Sequence, residues 1–176
     1  MKLLFSISFS LLSFFALAQL EAKKTLQVNP SDEVLITGKI KNDITIGAGE
    51  LYKFGERKMG DVPIFSNLGA IKGTARDLKG VLLKDILSKI DIQAENEKVL
   101  SEFYITCIAT DGYKVVYSWN EIFNSDTGEN VYLITEKEEI KAAEMTDRIL
   151  MISTKDYKTG RRYVKGLQKI VIERVN

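Results

Sequence analysis

The stretch LSEFYITCIATDGYKVVYSWNE, residues 100–121, decides the fold. Leu100–Ala109 is rich in β-branched and aromatic residues and alternates, with Phe103, Ile105, Cys107 and Ala109 on one face and Tyr104, Thr106 and Ile108 on the other. Period-two alternation is that of a strand, and two apolar faces suit a strand in the interior of a sheet. Asp111-Gly112 marks a hairpin, because a tight turn needs positive φ angles that Gly and Asp tolerate best. Tyr113–Tyr117 then returns as the partner strand. Ser118-Trp119-Asn120-Glu121 has the serine and glutamate spacing of a capping box and starts a short helix to about Phe123.

Outward from this core, the same reasoning gives further elements. Val81–Ile90 (VLLKDILSKI) places Leu82, Leu83, Ile86, Leu87 and Ile90 on one helical stripe and Lys84, Asp85, Ser88 and Lys89 on the other, with Gly80 turning the chain into the helix. Glu33–Ile40, Ile44–Ile46, Val131–Thr135, Arg148–Ser153 and Leu167–Val175 read as strands, and Met59–Ser66 and Ala70–Ala75 as extended segments. Leu51, Tyr52 and Phe54 suit one helical turn; Glu136–Glu144 reads as a loop or exposed helical turn, and Arg161–Lys165 as a short helical or irregular turn. Many short strands with few short helices predict one α+β domain around a mixed sheet over residues 33–176, preceded by a polar lead-in over 19–32.

The first 18 residues read as a secretory signal peptide. Lys2 precedes an apolar run that ends Ala16-Leu17-Ala18, a small-x-small cleavage pattern. No Arg-Arg pair precedes that run, so the signal fits export of an unfolded chain and a periplasmic or extracellular destination. After cleavage no integral membrane segment is expected. Loss of Lys2 lowers the 25 basic groups of the chain to the number of its 24 acidic ones, which gives no general attraction for nucleic acid. The sequence contains no His and one Cys. Ser-His-Asp triads, Cys-His pairs, HExxH zinc sites and intrachain disulfides are thereby excluded.

Three stretches, in order, resemble a known family. They are Lys79-Gly80-Val81-Leu82-Leu83-Lys84-Asp85-Ile86-Leu87, then Ala109-Thr110-Asp111-Gly112-Tyr113, then Arg148–Ser153 followed by Arg161–Leu167 and the strand Lys169–Val175. Together with Leu35–Ile40, whose Gly38 sits between apolar residues, they resemble the oxidoreductase molybdopterin-binding domain, the sulfite oxidase family fold. The resemblance covers about residues 33–175. It implies a mixed sheet with a barrel-like core and short flanking helices. In active members it further implies molybdopterin, a molybdenum held by one cysteine thiolate, and oxygen-atom transfer or related two-electron redox chemistry.

The sequence departs from that pattern at the metal. The family's ligand cysteine lies upstream of the G-V-x-L helix, and here that region, Met59–Leu78, has no Cys. Cys107 lies downstream on the apolar face of a strand, where a thiol behaves as a small buried hydrophobe. Export as an unfolded chain would leave a pterin inserted in the cytoplasm behind. The expectation is therefore no metal ligand, no catalytic residue and no cofactor, with molybdopterin only what the resemblance would imply.

The expected site residues are Arg161, Arg162 and Lys165, a basic group suited to phosphate or sulfate, and Asp111 and Tyr113, read as lining a ligand cleft near the face that holds the cofactor in the family it resembles. The expected role is an exported ligand- or partner-binding module for a small anionic ligand or an envelope protein. The alternatives are an active molybdopterin-dependent oxidoreductase, or a subunit of one, and an envelope interaction protein that uses exposed edge strands and has no small-molecule site.

Overall fold

A computed structural model describes residues 28–175. The signal peptide read over 1–18 and most of the lead-in lie outside the described residues. The described chain forms ten strands and two short α-helices: β1 Glu33–Gly38, β2 Ile44–Gly47, β3 Arg57–Phe65, β4 Ile71–Leu82, α1 Leu83–Leu87, β5 Phe103–Ala109, β6 Lys114–Ser118, α2 Trp119–Phe123, β7 Val131–Lys137, β8 Ile140–Lys141, β9 Met151–Ser153 and β10 Leu167–Arg174. Short 3-10 turns at Ala48–Phe54, Glu97–Glu102, Gly128–Asn130 and Thr159–Arg162 join them.

The strands form two sheets. One has the order β2-β1-β10-β5-β6; the other has the order β3-β4-β7-β8, with β9 also paired to β7. Only β1 and β10 run parallel, with Ile36 opposite Ile170 and Gly38 opposite Ile172. The sheet is thus mixed, as the α+β reading expects, but the barrel-like core is corrected: both sheets stay open. β2 and β6 end one sheet and β3 and β8 end the other, and among the described residues no ladder joins one sheet to the other.

The buried faces of both sheets join in one core. Val34 and Ile36 of β1, Phe103, Ile105 and Cys107 of β5 and Ile170 and Ile172 of β10 meet Leu78, Val81, Leu133 and Ile152 there. β5 alternates buried and half-buried residues along its length and lies between β10 and β6, inside its sheet. The capping box forms: Ser118 Oγ accepts the Glu121 N–H at 3.1 Å, and Glu121 Oε2 accepts the Ser118 N–H at 2.8 Å.

Four sequence expectations differ in detail. The strand read over Leu100–Ala109 begins at Phe103, because Glu97–Glu102 form a 3-10 turn capped by Asn96, whose side chain accepts the Lys98 N–H. The strand read over Arg148–Ser153 keeps only Met151–Ser153, because Ile149 takes a positive φ of 49° that breaks extended backbone. The helix expected over Val81–Ile90 spans only Leu83–Leu87, because Val81 and Leu82 finish β4, paired with Leu133 and Tyr132 of β7. Gly80 therefore sits in the strand, where a Cβ would lie 2.8 Å from the Leu133 carbonyl oxygen. Glu136–Glu144 begins as strand. β7 runs to Lys137, and Glu138 and Glu139, with φ of 51° and 65°, turn it back into β8.

Two outcomes follow for stability. Gly38 has φ 109°, and a Cβ there would lie 2.2 Å from the Ile172 carbonyl oxygen. Gly38→Ala is expected to destabilise by about 3 kcal/mol in urea unfolding, as strain and overlap combine. Burial pushes the Cys107 thiol up to about 12. The unfolded thiol ionises first as pH rises, so its contribution to stability is complete below about pH 8.5 and is lost as pH climbs toward 12. Cys107→Ala should accordingly flatten the alkaline fall of stability, and native wild type should resist a thiol reagent at pH 8.

Candidate functional site

The site is built where the loop after β9 docks on β3. Thr159 Oγ1 accepts the Phe65 N–H at 2.9 Å and donates to the Pro63 carbonyl at 2.7 Å. Gly160 packs so close that a Cβ would lie 2.6 Å from the Phe65 carbonyl oxygen. From the other side comes the β5–β6 turn. The Asp111 carboxylate accepts the Tyr113 N–H at 2.9 Å, which fixes the turn, and the Tyr113 hydroxyl donates to the Arg161 carbonyl at 2.5 Å. These contacts frame a cleft of about 440 Å³ whose walls include Phe65, Lys72, Tyr113, Gly160, Arg161 and Tyr163.

The electrostatics of this cleft are one-sided. Lys72 and Arg161 contribute to its walls and no carboxylate does. Among the described residues neither cation joins an ion pair, whereas Arg162 and Lys165 both do. Lys155 and Lys158 lie on the far side of Arg161 and extend the basic surface past Tyr157, which is 99% exposed. Phe65, Tyr113 and Tyr163 add aromatic surface beside the charges.

The structure thus brings together two of the expected site residues, Tyr113 and Arg161. Asp111 stands one step behind, holding the turn. Arg162 points the other way. Its Nε and Nη2 donate to the two oxygens of Asp156 at 2.6 and 2.5 Å, Nη1 reaches Glu121 at 3.3 Å, and the guanidinium lies 4.5 Å from the Tyr117 ring centre. The fork-to-fork pairing with Asp156 raises its already high pKa, against the opposing effect of burial. Tyr117 beneath it is fully buried, which pushes its phenol pKa up, and its hydroxyl has no partner among the described residues. Lys165 pairs with Asp147 at 2.6 Å. Burial, with Asp147 nearby, pushes the Tyr163 phenol up to about 12, so it stays a neutral donor. Trp119 stacks on Phe123 with ring centres 4.2 Å apart and packs against the core.

Lys72 and Phe65 carried no functional signal in the sequence. They enter the cleft only because the β3–β4 hairpin folds beside the Thr159–Arg162 turn.

The residues present do not fit a thiolate-held molybdenum. β3 and β4, which span the family's ligand region, contain no Cys. Cys107 is buried in the core with its thiol protonated at any ordinary pH. Among the described residues no group of three or more His, Cys, Asp or Glu side chains is placed to hold a metal ion.

No family model and no curated protein matches the chain. Among solved structures it is similar to the sulfane dehydrogenase SoxCD from Paracoccus pantotrophus, with a TM-score of 0.55 and 11% identity. The match covers 80% of this chain and 38% of that one. The likeness shows the fold, which is consistent with the sulfite-oxidase type that the sequence resembles.

Proposed function

We propose that this chain is an exported binding module on a sulfite-oxidase-type fold, which takes a small anion bearing a flat ring in the Tyr113–Arg161 cleft. One observation carries the reading: two unpaired cations and three aromatic side chains line a cleft that no carboxylate lines. Arg161 supplies a planar fork for phosphate, sulfate or carboxylate, and Lys72 a second positive charge. Tyr113 and Tyr163 give the ring an aromatic surface, and Tyr163 adds a neutral hydroxyl donor. On this reading molybdenum chemistry is absent, since Cys107 is committed to the core. The signal read over residues 1–18 supports a periplasmic or extracellular place of action.

Thermal denaturation of the mature protein tests the reading. At inorganic phosphate ten times its Kd, linkage gives about 1.4 kcal/mol of stabilisation. Arg161→Ala should abolish that increment. Arg162→Ala should lower the starting Tm by about 5 °C, by breaking its pairs with Asp156 and Glu121, yet keep the increment. Pterin-6-carboxylate should stabilise more than phosphate at equal concentration. An increment that survives in Arg161→Ala and vanishes in Arg162→Ala overturns the assignment.

A separate measurement addresses the metal. Protein purified from its own host should carry molybdenum far below one atom per chain, and its mature N-terminus should be Gln19. A stoichiometric metal content would overturn the reading that the chain lacks molybdenum.

A further inference from the structure

A second cleft, of about 590 Å³, lies away from the basic site, between β2, the 3-10 turn Ala48–Phe54 and the residues around the end of α1. Three consecutive residues of β2, namely Ile44, Thr45 and Ile46, line it. Successive strand residues point to opposite faces, so a cleft lined by all three runs along the strand's edge. Ile46 is only 4% exposed. β2 ends its sheet, so this edge has no neighbouring strand.

The ladder shows which main-chain groups face the cleft. The Ala48 N–H donates to the Asp32 carbonyl at 2.8 Å, between residues that continue the β1–β2 register directly. Directly opposed residues that share a bond belong to the hydrogen-bonded set, and this set alternates in an antiparallel ladder. Ile46 and Ile44 therefore turn their N–H and C=O toward β1, and Thr45 and Gly47 turn theirs outward. The Glu50 carboxylate lies over Gly47. Thr45 is left with an outward donor and acceptor, and outside the ladder no main-chain bond among the described residues uses either.

The rim adds chemistry. Glu50 pairs with Lys53 at 2.5 Å, and Asp85 pairs with Arg57 at 2.7 Å. Lys89 is in no ion pair among the described residues, and Phe54 supplies an apolar wall. An open strand edge beside a free cation suits a peptide that carries a carboxylate.

We infer that this cleft binds an extended, carboxylate-bearing peptide segment of a partner protein. The segment adds as a strand to β2, exchanging both main-chain hydrogen bonds with Thr45 and placing its carboxylate at Lys89. Main-chain pairing supplies affinity, and Phe54 and Lys89 supply selectivity. The site is independent of the anion cleft, so each can fail alone.

Fluorescence anisotropy of the mature protein with a labelled pool of pentapeptides, Xaa-Val-Xaa-Val-Asp, tests this. Binders should emerge, and N-methylation of the peptide amide facing Thr45 should weaken them about tenfold. Thr45→Pro removes the donor at an edge position that tolerates proline, and should weaken binding similarly. Lys89→Glu should weaken binding several-fold, and the loss should shrink at high salt. NMR should show the Thr45 amide shifting on titration. Any of three results overturns the inference: no binder up to millimolar concentration, equal binding of the N-methylated peptide, or a concentration-dependent dimer that Thr45→Pro abolishes while no peptide binds. The last would assign the edge to a second copy.

Discussion

The parallel pairing of β1 with β10 is the constraint on which the molecule depends. It joins strands from opposite ends of the described chain, so everything between them must fold back before the ladder forms. β10 is also the centre of its sheet, flanked by β1 and β5. Long-range contacts of this kind carry a loop-closure cost that only a large apolar face recovers. Here that face is Val34, Ile36, Ile105, Cys107, Ile170 and Ile172, all fully buried. Gly38 lets β1 end against the Ile172 carbonyl without a clash. Cys107 belongs to this face, so the chain's one thiol serves the sheet and is closed to metal chemistry.

The two clefts are consequences of the same arrangement. The Arg161 cleft forms where a loop leading to β10 crosses the β3–β4 hairpin and meets the β5–β6 turn. The open edge at Thr45 forms because β2, outside β1, has no further strand beside it. Charge is divided accordingly. Arg162 and Lys165 are spent on Asp156, Glu121 and Asp147, which hold the loop in place, while Arg161 and Lys72 are exposed and join no ion pair among the described residues.

How much was legible can be seen at single residues. Within residues 100–121 the alternation of β5 from Phe103 on, the Asp-Gly turn, β6 and the capping box were legible, whereas Leu100–Glu102 close a 3-10 turn and do not extend the strand. Local chemistry decides each of these. Val81 and Leu82 were misread as helix because their apolar side chains satisfy a helical stripe and a buried strand equally, and pairing with β7 settles the matter. The Glu138-Glu139 turn gave no signal because it takes positive φ without Gly or Asn. At the site, Tyr113 and Arg161 line one cleft, while Lys72 could not be found from its neighbours in the chain.

The sequence by itself determined the fold class, the burial of Cys107 and the presence of a basic segment near the C-terminus. Composition, alternation and turn chemistry act over a few residues and leave a local trace. Only the tertiary structure decided that the sheets stay open, that Arg161 faces a cleft while Arg162 lies on Tyr117, and that Thr45 is left with an unpaired edge. Those outcomes depend on which distant carboxylate or strand lies within a few ångströms of each group, and distance in space is fixed only when the chain closes.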